Sequence, residues 1–491
     1  MDEVRRQMTE FWKEHSKDAT VEKMMLDSRA SLLTEQELPE ILSLLPCLNG
    51  YDVLELGAGI GRYTSQLLTR AKHVTAVDFM ESFLEKNKEA NGHHSNAEFI
   101  QADVTKLEFP PNSFDLVFSN WLMMYMSNEE LNSFIKKMLV WLRPGGFVFF
   151  RESCNHRSGD CKVDFNPTYY RTDAQYSYLV SSVESEVTET GHKYGFDIVV
   201  KKNIKAYVEM KNNPNQICWL LEKVPRSLKT QGFSTFQQFL DNQQYTSHGI
   251  LRYEKMFGAG YVSTGGPSTT KEFVDMLNLK PGQEVLDVGC GIGGGDFYMA
   301  KTFGVKVLGL DLSENMVNIA IKRAMTEKLP SVQFEVADAT KRMFSEGSFD
   351  VIYSRDTILH IPDKPALFKH FHSWLKPGGQ LLISDYCCGE KTWTQEFKDY
   401  VQQRGYILYT HSQYGKFLEE AGFCNVRAED RSAQFIQVIE AELQRAEDNK
   451  DEFIKEFSEE DYLAIVNGWR EKLGRSKSGD QRWGLFYATK A

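Results

Sequence analysis

The chain has 491 residues, 42% of them hydrophobic and 25% charged, so it can bury ordinary cores and is too long for a single one. Its net charge of −11, from 57 basic and 68 acidic residues, comes without a block of Lys and Arg, so no nucleic-acid partner is expected, only a small anion pocket. The 8 cysteines form no C-x-x-C pair and there is neither an apolar leader nor a run of about 18 apolar residues, so a soluble cytoplasmic protein without stable membrane association is expected.

After the charged start, "VLELGAGIGRYTSQL" from Val53 reads as strand, tight turn and helix N-terminus, with an acid at Glu55 and glycines at Gly57, Gly59 and Gly61. "HVTAVDF" gives a second strand ending at Asp78, and "FIQADVT" a third ending at Asp103 and Val104. "SFDLVFSNWLMMY" follows, then "WLRPGGFVFFRESC" from Trp141, whose Pro-Gly-Gly stops a helix and turns into a strand. "NQICWLL" near Trp219 is a last strand, and polar "EKVPRSLKTQGFS", about 222–234, reads as a linker.

The series then recurs in the same order. "VLDVGCGIGGGDFYM" from Val285 carries Asp287, Gly289, Gly291 and Gly293; Asp311, Asp338 with Ala339, "SFDVIYSRDTILH", "WLKPGGQLLISDYC" from Trp374 and "DQRWGLF" near Trp483 complete it. Separations stay nearly constant as far as Arg171 and Arg404 and widen at the tryptophans, so the second half carries an insertion of roughly thirty residues. That insertion includes "EDNKDEFIKEFSEEDY", most simply a solvated helix face and placed where a lid could lie.

The acids restrict what the glycine turns hold. A carboxylate two positions before the first glycine suits a cationic amino group and repels a pyrophosphate. Asp78 and Asp311 are placed for ribose hydroxyls, and Asp103–Val104 and Asp338–Ala339 for an adenine amino group. A nucleoside carrying an amino acid fits that set. The constellation resembles the class I S-adenosylmethionine-dependent methyltransferases over essentially the whole chain, as two tandem copies. The resemblance implies an α/β fold of two Rossmann-like domains, each a mostly parallel seven-stranded sheet with helices on both faces and an antiparallel last strand, at 1–222 and 235–491 with a linker at 223–234. It also implies one S-adenosylmethionine site per domain without a metal, with further contacts from Arg62, Asn120, Ser263 and Arg355.

In the second half, "FLDNQQYTSHGILRYEKMFGAGYVSTGG", "SRDTILHI", "SDYC" and "YVQQRGY" look like the phosphoethanolamine N-methyltransferases, and the layout resembles their di-domain members. The resemblance implies three methyl transfers from phosphoethanolamine to phosphocholine, the first in the N-terminal domain and the later two in the C-terminal one. It implies Tyr245 and His360 as the catalytic pair with Asp356 beside the amine, and Tyr386, Tyr400, Arg404, Tyr406 and Lys472 as phosphate ligands, with Tyr253 and Ser263 closing the pocket. Such chemistry needs a proton acceptor, because freeing an amine with the lysine reference pKa at neutral pH costs about 4 kcal/mol. On residue pattern alone His360 also fits a structural strand-end histidine, Tyr245 and Tyr253 lid aromatics, and Arg404 a surface charge.

The first half departs. Trp121 stands for Asp356 and Tyr125 for His360, and nothing matches "NQQYTSHG". Arg171 aligns with Arg404 as a phosphate anchor, Ser153, Gly159, Tyr170 and Tyr176 lie nearby, and His15, Asp27 or Tyr125 are candidate bases. Trp121 and Tyr125 would discriminate amines by size or methylation. Two other readings stay open: a first half that only binds cofactor or product and regulates, and methylation of another small amine such as glycine or sarcosine. A monomer acting on small phosphorylated amines is expected.

Overall fold

The apolar runs before the two glycine turns are hidden on both faces of a sheet: Val53, Leu54, Leu56 and Leu286 are wholly buried. A computed structural model describes residues 3–16, 20–161, 167–187, 191–226 and 232–491. It divides into two units, Met1–Thr235 and Phe236–Ala491.

The first unit contains β1 (Asp52–Leu56), β2 (His73–Asp78), β3 (Ala97–Gln101), β4 (Phe114–Asn120), β5 (Leu142–Ser153), β6 (Lys193–Asn203) and β7 (Gln216–Arg226). Their order is β6-β7-β5-β4-β1-β2-β3, with β7 antiparallel to both neighbours and the other pairings parallel. The second unit repeats this with β8 (Glu284–Val288), β9 (Lys306–Asp311), β10 (Val332–Ala337), β11 (Phe349–Arg355), β12 (Leu375–Cys388), β13 (Cys424–Asp430) and β14 (Gln481–Thr489), ordered β13-β14-β12-β11-β8-β9-β10. Here β14 is the antiparallel strand. The order reverses beside β1 and β8, so a crevice opens at the carboxyl ends of β1 and β4, and of β8 and β11.

The helices start where the sequence offers a cap. Ser127 closes a capping box with Glu130 ahead of Asn128–Trp141, and Thr410 does so with Gln413 ahead of His411–Glu420. The insertion is helical: between β13 and β14 stand Ser432–Asp448, Lys450–Glu456 and Glu459–Lys477, where the first unit has Lys205–Lys211 between β6 and β7. Phe453 and Tyr462 anchor its charged stretch inward while its acids form the solvated face. One boundary moves. β7 continues through residues 223–226 of the expected linker, because antiparallel pairing to β6 runs on to Arg226, whose Nη1 donates to Asp197 at 2.6 Å. Residues 227–231 of that linker lie outside the described residues. No helix among the described residues is long and apolar enough to cross a membrane.

Candidate active site

Each glycine turn is held from below by the acid that ends the second strand. The Gly59 N–H donates to Asp78 Oδ2 at 2.8 Å and Met80 N–H to Oδ1 at 2.8 Å; Gly291 and Ser313 do the same to Asp311 at 3.0 and 2.9 Å. Gly59 (φ +54°) and Gly291 (φ +55°) must be glycine, since a Cβ there is strained and would meet Met24 or, at 2.6 Å, Val262. Burial pushes both Asp78 and Asp311 up to about 6. Asp103 and Asp338 cap their turns through Oδ1, which accepts from the Thr105 and Thr340 hydroxyls at 2.7 and 2.6 Å.

At the first strand the two units differ. Glu55, pushed up to about 8 by burial, accepts from the Thr64 hydroxyl at 2.6 Å. Asp287 instead faces Asp296, and burial and their mutual repulsion drive Asp287 far above the carboxylate range. Its Oδ1 is buried without a hydrogen-bond partner among the described residues. An unclaimed carboxylate oxygen beside a glycine turn is what the amino group of an amino-acid-bearing nucleoside requires, so the residues fit S-adenosylmethionine.

In the second unit the fold gathers the acceptor residues read from the sequence. Asp356 follows β11 in the left-handed region (φ +50°), where its Oδ1 accepts from Trp483 Nε1 at 2.8 Å and its Oδ2 from Thr264 N–H at 3.0 Å. Thr264 sits beside Ser263 and contacts the Tyr386 hydroxyl at 3.2 Å, which also accepts from Lys472 Nζ at 2.8 Å. Tyr400 and Tyr386 pack on Tyr406 at ring distances of 5.8 and 6.3 Å, and Arg404 faces the hydroxyls of Tyr406, Tyr253 and Tyr400. His360 lies edge-on to Tyr406 at 5.2 Å. Burial, then the charges of Lys364 and Arg404, lowers His360 to about 3, so it is neutral, and its buried Nδ1 has no partner among the described residues. Tyr245, held protonated by burial, accepts from Gln244 Nε2 at 3.2 Å and is not hydrogen-bonded to His360. Catalytic hydrogen bonds often tighten only around substrate.

In the first unit a cavity of about 390 Å³ runs from Glu55, Asp78, Asp103 and Val104 past Asn120 and Trp121 to Tyr125, Ser153, Gly159 and Tyr170. Trp121 takes the same left-handed turn as Asp356 (φ +55°). Three expectations change here. Arg171 does not line the cavity: Nε donates to Asn128 Oδ1 at 2.8 Å, Nη2 to Met126 O at 2.6 Å and Nη1 to Met123 O at 3.3 Å. It braces the turn after β4, as Lys364 does in the second unit by donating to Ile358 O and Ile361 O. Tyr176 is wholly buried in the core beneath it. Of the candidate bases, Asp27 is paired with Lys211 and His15 Nδ1 bonds Phe11 O at 2.8 Å; neither lines the cavity, whereas Tyr125 does. The cavity's arginines are Arg62, which is spent on Glu37, and Arg157.

Asn120 and Arg355 form a pattern the sequence did not reveal. Asn120 pairs across β4 and β5 with Arg151; Arg355 pairs across β11 and β12 with Ser384. Arg151 donates to Asn120 Oδ1 at 3.0 Å and Glu37 Oε2 at 2.9 Å, and lies 3.6 Å from the Trp121 ring centre. Arg355 donates to Ser384 Oγ at 2.6 Å, Thr264 O at 2.8 Å and Thr269 Oγ1 at 3.0 Å. Each unit thus buries one guanidinium between neighbouring strands, carried by opposite members of the pair.

Two family models described as "Methyltransferase domain" match residues 53–146 and 268–428. A wheat (Triticum aestivum) protein, "Phosphoethanolamine N-methyltransferase 1", is 56% identical over 483 residues, covering 98% of this chain and 96% of its own. The Arabidopsis thaliana "Phosphoethanolamine N-methyltransferase 3" is 55% identical, covering 97% of each. The chain belongs to the phosphoethanolamine N-methyltransferase family. Its fold is that of Haemonchus contortus phosphoethanolamine N-methyltransferase 2, solved with phosphomonomethylethanolamine and S-adenosylhomocysteine: TM-score 0.75 and 28% identity, covering 93% of this chain and 99% of that one.

Within this member of the phosphoethanolamine N-methyltransferases, Glu37, Arg151 and Trp483 went unread in the sequence as site residues. Trp483 was visible as a repeat landmark matched to Trp219, but strand pairing sets Gln216 opposite Ser153 where Trp483 stands opposite Tyr386, and Gln216 Oε1 accepts from Trp121 Nε1 at 2.8 Å, so the sequence match pointed to the wrong counterpart.

Proposed function

We propose that this enzyme transfers methyl groups from S-adenosylmethionine to the nitrogen of phosphoethanolamine, through mono- and dimethyl intermediates to phosphocholine, with the first step in the N-terminal unit and the later steps in the C-terminal one. The cluster of Arg404, Lys472, Tyr253, Tyr386, Tyr400 and Tyr406 around Asp356 carries this reading, because it offers a phosphate two cations and several hydroxyls beside a carboxylate. The Haemonchus contortus enzyme supports it, having been solved with a phosphorylated monomethyl amine bound.

The sets Glu55, Gly57, Gly59, Gly61, Asp78, Asp103 and Asp287, Gly289, Gly291, Asp311, Asp338 are read as the two cofactor cradles. When bound, S-adenosylmethionine supplies a methyl group on a sulfonium cation. The chain must anchor the phosphate, aim the amine and dispose of its proton. Arg404 and Lys472 do the first and Asp356 the second. His360 is kept neutral with an open Nδ1, so its ring has a nitrogen able to take up a proton, and the substrate phosphate beside Arg404 offsets part of the charge that holds it down. Tyr245, protonated at rest, lies between amine and imidazole and would pass its proton to His360 as its oxygen takes the amine's.

In the N-terminal unit the phosphate role passes from Arg171 to Arg157, which lines the cavity with Ser153, Gly159 and Tyr170. The absence of a Tyr–His pair there favours the second reading, a cofactor-binding regulatory module. Product analysis separates the two. Given phosphoethanolamine, Asp311→Ala is expected to stall at the monomethyl product, and Asp78→Ala to accept only methylated substrates. Phosphocholine made by Asp78→Ala from phosphoethanolamine at the wild-type rate makes the first unit a binding module.

A further inference from the structure

Lys472 reaches the second site from the inserted helix Glu459–Lys477, and it is almost fully buried. Its Nζ lies 4.9, 5.0, 5.2 and 5.6 Å from the ring centres of Tyr386, Phe435, Trp469 and Phe257. Aromatic faces help a cation there, yet burial pulls the ammonium toward its neutral form. On the neighbouring inserted helix Ser432–Asp448, Glu442 is 2% exposed. Its Oε2 accepts from Trp469 Nε1 at 2.7 Å and its Oε1 from the Gly265 N–H at 2.9 Å. Burial raises Glu442 above its ordinary value, and the charge of Lys472, the two N–H donors and Arg445 on the same helix work against that rise.

We propose that Glu442 is a positioning residue for the substrate phosphate in the second unit: it ties segment 263–266 to the inserted helices and supplies the negative charge that keeps Lys472 a cation. The inference rests on the phosphate reading of the second site. The charged and titratable groups around Lys472 are few. Glu442 and, from the turn after β11, Asp356 favour the ammonium; Tyr400 on Gln395–Arg404 does so when ionised; Arg475 on its own helix opposes it; and Tyr386 on β12 accepts its hydrogen bond. Asp356 accepts from Trp483, Ser384 and Thr264, and Glu442 is the carboxylate that the inserted helices themselves bring to Lys472. Among the described residues only the short helix Lys205–Lys211 stands between β6 and β7, so this device belongs to the second unit.

The test is the pH dependence of kcat/KM for phosphodimethylethanolamine, with the full chain and saturating S-adenosylmethionine. Glu442→Gln is expected to move the alkaline limb down by about one pH unit and so to raise KM by up to about tenfold at pH values above the wild-type limb, with kcat within twofold. Glu442→Asp keeps the limb where wild type has it. In a Lys472→Gln background, Glu442→Gln adds nothing further to KM. An unmoved limb, a fall in kcat at constant KM, or additive effects overturn the proposal. If Glu442→Gln does not fold, Lys472→Arg decides: an arginine keeps its proton, so the limb must vanish, and a limb that stays refutes Lys472 as its source. A Lys472→Gln enzyme with wild-type KM instead sinks the phosphate reading on which the proposal stands.

Discussion

Replacing Arg171 by methionine is expected to unfold the first unit rather than to weaken substrate binding. The guanidinium, 4% exposed, makes two short hydrogen bonds, to Met126 O at 2.6 Å and Asn128 Oδ1 at 2.8 Å, and two long ones, to Met123 O at 3.3 Å and Tyr169 O at 3.5 Å. A hydrogen bond from a charged donor is worth about 1.5–3 kcal/mol, so the two short bonds alone amount to about 3–6 kcal/mol, with the carbonyl left buried and unpaired. Against a total stability of about 5–15 kcal/mol that is a large fraction. Urea unfolding of the full chain should show one transition moved to much lower denaturant. Arg171→Lys should recover a good part of the loss, because Lys364 braces the corresponding turn by donating to Ile358 O and Ile361 O. At low temperature the folded Arg171→Met protein should keep its KM for phosphoethanolamine within twofold. A wild-type unfolding midpoint with KM raised tenfold would refute the reasoning and return Arg171 to the phosphate.

Glu37 is wholly buried and holds both Arg62 and Arg151, so Glu37→Gln is expected to cost about 3–5 kcal/mol in denaturant unfolding, since it leaves buried guanidinium charge uncompensated; a loss below about 1 kcal/mol would show that solvent or Trp121 carries that charge instead. Asp311 gives a pH signature. Its folded pKa of about 6 lies above the reference 3.8, so between those values the folded state holds a proton that the unfolded chain has released, and stability falls as pH rises through the window. Ligand-free Asp311→Asn should therefore gain on wild type by up to about 3 kcal/mol between pH 4 and pH 7. A difference that does not vary with pH removes Asp311 as its source.

Much of the architecture was legible because its signals are local. Alternation, glycine turns and strand-ending acids depend on neighbours a few residues away, and the duplicated series displayed each of them twice. The second site was legible as a set of residue types in order. What escaped was the partnership of donors. Arg171 and Arg404 align by spacing in the sequence, but Arg171 stands just ahead of the capped helix Asp173–Ser182, where the second unit has Tyr409 ahead of His411–Glu420, while Arg404 ends the separate helix Gln395–Arg404; the Met123–Met126 turn therefore takes the one and not the other. Glu442 and Trp469 escaped because the amphipathic pattern of the inserted helices says which face is buried, not that a carboxylate on it meets a backbone N–H at Gly265. Residues 223–226 read as linker because they are polar and lack apolar periodicity, though strand pairing there extends to the register Lys193–Arg226.

The exchange of Asn120–Arg151 for Arg355–Ser384 constrains anyone who would build chimaeras of the two halves. Grafting β4 of one half beside β5 of the other puts either two arginines or none at the crossing point. The first places like charges side by side in a dry interior; the second strands Glu37 or the Thr264 carbonyl without a donor. Neither β4 nor β5 is a transferable part by itself. The smallest unit that can pass between the halves is both strands together with the segment that holds their arginine, the one carrying Glu37 in the first half and the one carrying Thr264 and Thr269 in the second.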